Sequence, residues 1–293
     1  MSLYEVRTEI PFASAPQVDE LFMERETTEW SIIEDVIVKR AWIVGIFDTD
    51  NKARKAGEDL LALLPVATLS AAIITEVKDG DWKDSYKLHF KAWKFGKLHW
   101  VPVWEKEKFS LPPGEAALWL DPGLAFGTGN HETTRLCIEK LVEVAVPMGE
   151  AVAHKRVVDA GCGSGILALS AVLLGFKDVD GFDNDPEATR VSEENAALNG
   201  LTGQVKFHTD DLDSGLSKDC ADILLANILA DILVTNRQTL VNAVRPRGVL
   251  ILSGILATEI ESVRAAFEEV TPHWVPESRT MGEWAAAFFT RPA

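Results

Sequence analysis

Val157-Val158-Asp159-Ala160-Gly161-Cys162-Gly163-Ser164-Gly165-Ile166-Leu167-Ala168-Leu169 is an apolar run that breaks into three alternate glycines and then resumes with helical spacing. The pattern predicts a strand, a glycine-rich turn and a helix. Such a turn lets the backbone at Gly161 and Gly163 approach a ligand that any Cβ would hold away, with helix-terminal N–H groups behind it. The ligand this implies is a nucleoside-bearing cofactor. A dinucleotide fingerprint, G-x-G-x-x-G, would need glycine where this chain has Ile166, which argues against a pyrophosphate.

The second half of the signal is Asp178-Val179-Asp180-Gly181-Phe182-Asp183-Asn184-Asp185-Pro186, a short strand that ends in acids. Asp183 stands 22 residues after Gly161. A carboxylate at the end of the second strand of such a unit can accept both ribose hydroxyls. Asp185 followed by Pro186 at a first helical position reads instead as a helix cap. Asp183 is therefore expected to bind and Asp185 to cap.

With 293 residues, 47% hydrophobic and 25% charged, the chain is long enough for two cored domains. It has no apolar run of the length a membrane helix needs, and its start lacks a basic stretch followed by an apolar one. The expectation is a cytoplasmic protein, neither membrane-bound nor secreted. Cys137, Cys162 and Cys220 are widely spaced, with no C-x-x-C pair and no metal-ligand rhythm, as suits a reducing compartment. The 29 basic and 45 acidic residues leave a formal charge of −16. That balance argues against a nucleic-acid backbone as the main partner and favours a basic one.

Residues 1–78 run strand, helix, two strands, helix, strand. Leu3 to Ile10 alternates; Val18, Leu21 and Phe22 have helical spacing; 30–35 and 36–47 are β-branched and aromatic. Ala56, Leu60, Leu61 and Leu64 repeat the helical pattern before a strand over 71–77. The order βαββαβ predicts a small ferredoxin-like α+β domain, and with neither His nor Cys in it, a binding module. Residues 79–114 read as an amphipathic linker in which Trp82, Tyr86, Phe90 and Trp93 recur beside Lys83, Lys87 and Lys91. From 115 to 293 strands and helices alternate, predicting an α/β doubly wound parallel sheet. Strands are expected at 156–159, 179–183, 204–208, 222–227, 248–253, 274–279 and 284–290, the last two as an antiparallel hairpin. Helices are expected near 131–145, 165–175, 186–199, 229–244 and 258–270.

Asp159-x-Gly161-x-Gly163-x-Gly165 resembles the nucleotide loop of S-adenosylmethionine-dependent methyltransferases, whose cofactor carries no phosphate. Two flanking motifs narrow the resemblance: Leu120-Asp121-Pro122-Gly123-Leu124-Ala125-Phe126-Gly127-Thr128-Gly129-Asn130-His131-Glu132-Thr133-Thr134, and Ala226-Asn227-Ile228-Leu229-Ala230. Together the three resemble the bacterial methyltransferase of large-ribosomal-subunit protein eleven. The resemblance implies a Rossmann-like seven-stranded sheet with its final strand inserted antiparallel, a small substrate-recognition domain, S-adenosylmethionine as cofactor, and a basic ribosomal protein methylated on amino groups. It carries cofactor positions onto Thr134, Gly161, Asp183 and Asn227. Asn130, Glu132 and Asp231-Ile232 depart from the usual pattern, away from those four positions.

Methyl transfer to an amine needs orientation more than acid–base equipment. The Asn227 side chain, with the backbone carbonyls of Asn227 and Ile228, can accept from an amine at the carboxyl end of the fourth strand. Asn227 also reads as an N-cap for a helix from Leu229 onward. Phe126 sits in a glycine-rich loop suited to closing over the methionine end and facing the sulfonium. Asp210 or Asp211 can accept from the adenine amino group, and His131 is either a base or a cap. A small-molecule methyltransferase acting as a dimer is the competing reading; a monomer acting on protein is the expectation.

Overall fold

Alternation in Leu3–Pro11 (β1) buries Val6, Thr8 and Ile10, so this strand presents one face to a core. The computed structural model describes residues 3–25, 29–35, 39–66, 68–77, 92–120 and 131–293. The chain divides into two units, Met1–His89 and Phe90–Ala293. In the first, Ala15–Glu24 (α1) precedes Trp30–Asp35 (β2), and Arg40–Phe47 (β3) is followed by Asp50–Leu63 (α2) and Ile73–Val77 (β4). Thr49 caps α2, its Oγ1 accepting from the Lys52 N–H at 3.3 Å. The sheet is antiparallel in the order β2-β3-β1-β4, the ferredoxin-like arrangement. Ile10, Val18, Phe22, Ile43 and Leu60 form its core.

Residues 78–91 lie outside the described residues, and with them Trp82, Lys83, Tyr86, Lys87, Phe90 and Lys91. Trp93 opens a strand, Trp93–Phe95 (β5), which turns at Gly96 into Leu98–Pro102 (β6). Ala116–Leu120 (β7) then pairs with β6 in parallel. Phe95, Leu98, Trp100 and Leu118 of these strands share one core with the helices of the second unit.

Beyond them Glu132–Ala145 (α3) leads to Arg156–Ala160 (β8), Ile166–Leu173 (α4), Asp178–Asp183 (β9), Pro186–Leu198 (α5) and Lys206–Thr209 (β10). Leu212–Gly215 (α6), Ala221–Asn227 (β11), Ala230–Thr235 (α7), Arg237–Ala243 (α8), Val244–Leu256 (β12), Ile260–Val270 (α9), Val275–Met281 (β13) and Trp284–Thr290 (β14) complete the chain. The sheet order is β10-β9-β8-β11-β12-β14-β13. β8 to β12 run parallel, and β14 enters antiparallel between β12 and β13. Separate apolar clusters cover the two faces, which is why the central strands read as continuous apolar runs.

The sequence patterns for these seven strands hold to within a few residues. The single helix expected near 229–244 is two helices, broken at Asn236, whose Nδ2 donates to the Ile232 carbonyl at 2.8 Å. A side chain that competes for a helix carbonyl ends the first helix there. Among the described residues no helix is long and apolar enough to cross a membrane.

Candidate functional site

The glycine turn between β8 and α4 is held from inside the protein. Gly161 and Cys162 both donate their backbone N–H to the Phe182 carbonyl, at 2.8 and 2.9 Å, and Gly165 donates to the Cys162 carbonyl at 2.8 Å. The Gly163 N–H goes to Asp183 Oδ2 at 2.9 Å. Gly161, Gly163 and Gly165 all have positive φ, and a Cβ at Gly165 would come within 3.0 Å of Phe207 and Ser192. α5 secures the turn's carbonyls: Ser192 Oγ donates to Gly163 O at 2.8 Å and Asn195 Nδ2 to Ser164 O at 2.9 Å. Four donors of the turn are thus already spent on the protein. The sequence suggested helix-terminal N–H groups behind the turn; the structure spends the turn's own four donors on locking it and the Ala168 N–H of the helix on Asp159.

Asp183 stands at the end of β9, partly exposed. Its Oδ1 accepts from the Asp185 N–H at 3.0 Å, so each carboxylate oxygen spends one lone pair inward and keeps another. Asp185 accepts from the Glu187 N–H at 2.9 Å and caps α5, with Pro186 next in the chain. Beside Asp183 opens a cleft of about 290 Å³, bounded by Gly161, Asp183, Asp210, Leu212, Ile228 and Ile232 among others. Asp210 and Asp211 both border this cleft, and Asp211 also caps α6 by accepting from the Asp213 and Ser214 N–H groups at 3.1 and 2.8 Å. The two aspartates, equivalent in sequence, differ in that only Asp211 caps the helix that follows them.

A second, narrower space of about 30 Å³ lies on the other side of Gly161, against Thr134, Asp159, Gly163 and Asn227. Asp159 is 1% exposed; its Oδ2 accepts from the Ala168 N–H at 3.1 Å, and its Oδ1 is buried with no partner. Burial pushes this carboxyl up to about 7, the Ala168 N–H opposes the rise and the Asp183 charge adds to it. An unsatisfied buried acceptor of this kind suits a cationic ligand group. Asn227 Nδ2 donates to Thr134 Oγ1 at 3.3 Å, leaving the Asn227 amide oxygen as an acceptor.

Asn227 does not cap a helix: α7 starts at Ala230, its N-cap position is Leu229, and no side chain caps it. His131 does cap, Nδ1 accepting from the Thr133 N–H at 3.4 Å, and its ring packs edge-on against Trp284 with centroids 4.7 Å apart. Phe126 and Asn130 lie outside the described residues. Glu132 pairs with Arg135 at 2.9 Å in the first turn of α3, and Asp231 accepts from the Ile232 N–H at 2.8 Å. Burial also holds the thiols of Cys137 and Cys162 well above their usual range, which removes them as nucleophiles.

Several contributors carry no local signal. Ser192 and Asn195 sit within an ordinary helical pattern, and Ile232 and Asn236 reach the cleft from a helix pair that reads as one amphipathic helix. Asp159 was visible as the first residue of the glycine motif, but its burial was not.

Two spaces therefore meet at Gly161, one beside a carboxylate with open lone pairs and one above a buried acceptor. A ligand with a nucleoside at one end, a charged amino-acid group at the other and no phosphate satisfies both, and S-adenosylmethionine is that ligand. With the strand order, this makes the second unit an S-adenosylmethionine-dependent methyltransferase. The chain belongs to the ribosomal protein L11 methyltransferase (PrmA) family, which it matches across residues 12–292.

A ribosomal protein L11 methyltransferase of Pelobacter propionicus is 43% identical over 232 residues, 78% of this chain and 72% of the relative. One of Pseudomonas aeruginosa is 43% identical over 231 residues, 78% of this chain and 74% of the relative. The crystal structure of a ribosomal protein L11 methylase from Lactobacillus delbrueckii subsp. bulgaricus aligns with a TM-score of 0.57 at 31% identity, over 70% of this chain and all of that one.

Proposed function

We propose that this enzyme methylates amino groups of ribosomal protein L11, on lysine side chains, the N-terminal amine or both. The family match over residues 12–292 carries this reading. S-adenosylmethionine, when bound, supplies an electrophilic methyl on a sulfonium. Asp183 would hold its ribose hydroxyls, Asp210 its adenine amino group, and Asp159 and Thr134 its amino-acid end, with the bare Gly161 and Gly163 at the centre and Phe126 over the sulfonium. Asn227 and Ile228 would then act on the amine. Its neutral form accepts no charge from them, but their carbonyls take up its N–H bonds and aim the remaining lone pair at the methyl. As a charge develops on nitrogen those hydrogen bonds strengthen, and they stabilise the transition state more than the ground state.

The reading extends to a division of labour. Residues 1–78 recognise the protein substrate and 115–293 carry the methyltransferase site, while of the 79–114 segment expected to connect them the strands β5 and β6 pack into the core of the second unit. A formal charge of −16 supports a basic protein partner and speaks against a direct nucleic-acid role. A cytoplasmic enzyme acting as a monomer goes with such a substrate. The test is transfer of labelled methyl from S-adenosylmethionine to purified L11, with mass spectrometry to locate the methyls and small amines as competitors. Transfer to small amines with L11 left unmodified would replace this reading with a small-molecule methyltransferase.

A further inference from the structure

Pairing of β12 with β14 slips between Leu252 and Ile255, and Gly254 lies in the slip with φ +83°. On its other side β12 pairs in parallel with β11, and the last registered pair is Asn227 with Ser253. The next residue of each strand, Ile228 and Gly254, meet where the ladder ends. A Cβ on Gly254 would lie 2.3 Å from the Ile228 carbonyl oxygen, 2.8 Å from its carbonyl carbon and 3.1 Å from its nitrogen. These are main-chain atoms with no rotamer by which to move away. Ile228 also closes on the glycine turn, where a Cβ at Gly161 would lie 2.5 Å from Ile228 Cγ2. One residue is therefore seated between the bare Cα atoms of the glycine turn and of β12, its side chain toward the first and its carbonyl toward the second.

Left-handed backbone alone does not account for Gly254. Gly114, Gly149, Gly200 and Gly203 also have positive φ, and a Cβ on any of them would meet nothing within 4 Å. At Gly254 the space itself is used.

We infer that Gly254 is a positioning residue for methyl transfer, keeping the Ile228 carbonyl oxygen open to the target amine and the Asn227–Ile228 turn seated against Gly161. The inference rests on the reading that Asn227 and Ile228 accept from that amine. A Cα–H facing a carbonyl oxygen uses little of its accepting capacity, so a lone pair remains for the amine. A side chain at 254 occupies the approach to that oxygen or pushes the turn by about 1 Å, and a misplacement of that size costs on the order of 10²-fold in rate. Asp183 ends β9 and Asp210 follows β10, so the carboxylates proposed for the adenosine end are left in place although Ile228 also borders their cleft.

The test compares Gly254→Ala and Gly254→Asn with the unaltered chain and with Gly200→Ala. Asparagine carries a Cβ yet tolerates positive φ better than other residues, so it guards against an alanine variant that fails to fold. Gly200→Ala carries the same kind of backbone strain in open space. Turnover is counted per S-adenosylmethionine-binding site, with sites titrated by calorimetry so that unfolded chains do not contribute. Transfer by the unaltered chain to L11 tests the substrate reading; the ratio of variant to unaltered turnover, on L11 or on polylysine if L11 is refused, tests Gly254. Both Gly254 variants should bind S-adenosylmethionine within about threefold of the unaltered chain, a difference below one kcal/mol, and lose about 10²-fold in kcat. Gly200→Ala should keep both. Unchanged kcat in the Gly254 variants, or equal losses of kcat and cofactor affinity, would overturn the inference.

Discussion

Asn227 Nδ2 donates to Thr134 Oγ1 at 3.3 Å, joining the end of β11 to the first turn of α3 across 93 positions of sequence. By taking up one amide hydrogen, the threonine hydroxyl fixes which way the asparagine side chain faces, and its carbonyl oxygen points elsewhere.

Replacing Asn227 by Ala should therefore lower kcat by about 10²-fold or more while changing S-adenosylmethionine affinity little, since geometry at the amine is what is lost. Steady-state kinetics beside calorimetry checks this. Equal losses in both would make Asn227 a cofactor ligand only.

Asp183→Ala removes a charged acceptor and should weaken S-adenosylmethionine binding by about 10- to 150-fold, the equivalent of roughly 1.5–3 kcal/mol. The variant also frees the Gly163 and Asp185 N–H groups, so part of the loss arises from a looser turn. Titration calorimetry at matched pH measures it, and unchanged affinity removes Asp183 from the site.

Asp159 gives a pH signature in the cofactor-free protein. Its carboxyl is raised from the ordinary range to about 7 on folding, so between those values the folded chain holds a proton that the unfolded chain has lost. Stability should fall as pH rises through this window and level off above about 7. Relative to Asp159→Asn, which cannot ionise, the unaltered chain should lose roughly 2–3 kcal/mol between pH 5 and pH 8. Urea melts at several pH values check the sign; parallel curves for the two proteins would show that the carboxyl keeps an ordinary pKa.

A fragment spanning Phe90–Ala293 retains the strands whose Leu98 and Trp100 complete the core of the second unit. It should bind S-adenosylmethionine yet methylate L11 far more slowly than the whole chain. Added salt should slow association of the whole chain with L11 and spare cofactor binding, because attraction between a −16 chain and a basic protein is screened beyond about 8 Å at physiological ionic strength. Full activity in a monodisperse fragment would take recognition away from residues 1–78.

Strand and helix positions in the second unit were largely legible because each element buries a regular face, and that regularity is written within ten or so consecutive residues. The pattern misled where its cause was a side chain rather than a period. Apolar spacing runs unbroken from Leu229 to Val244, and only the Asn236 amide, bonded back to Ile232, divides the helix. Asp210 and Asp211 likewise carry the same chemistry in sequence and both border the cleft, and only the position of α6 makes Asp211 its cap.

By itself the sequence determined the kind of cofactor and the order of the fold, since glycine spacing governs where the backbone can take positive φ and apolar periodicity governs which faces are buried. Only the tertiary structure decided how the turn's N–H groups are spent, that Asp159 is buried beside Asp183 and pushed up to about 7, and that Ile228 is seated between Gly161 and Gly254. Apart from the local Gly165–Cys162 bond, each of these joins segments twenty or more positions apart. Their distances, desolvation and charges come into being only when the strands lie side by side in one sheet.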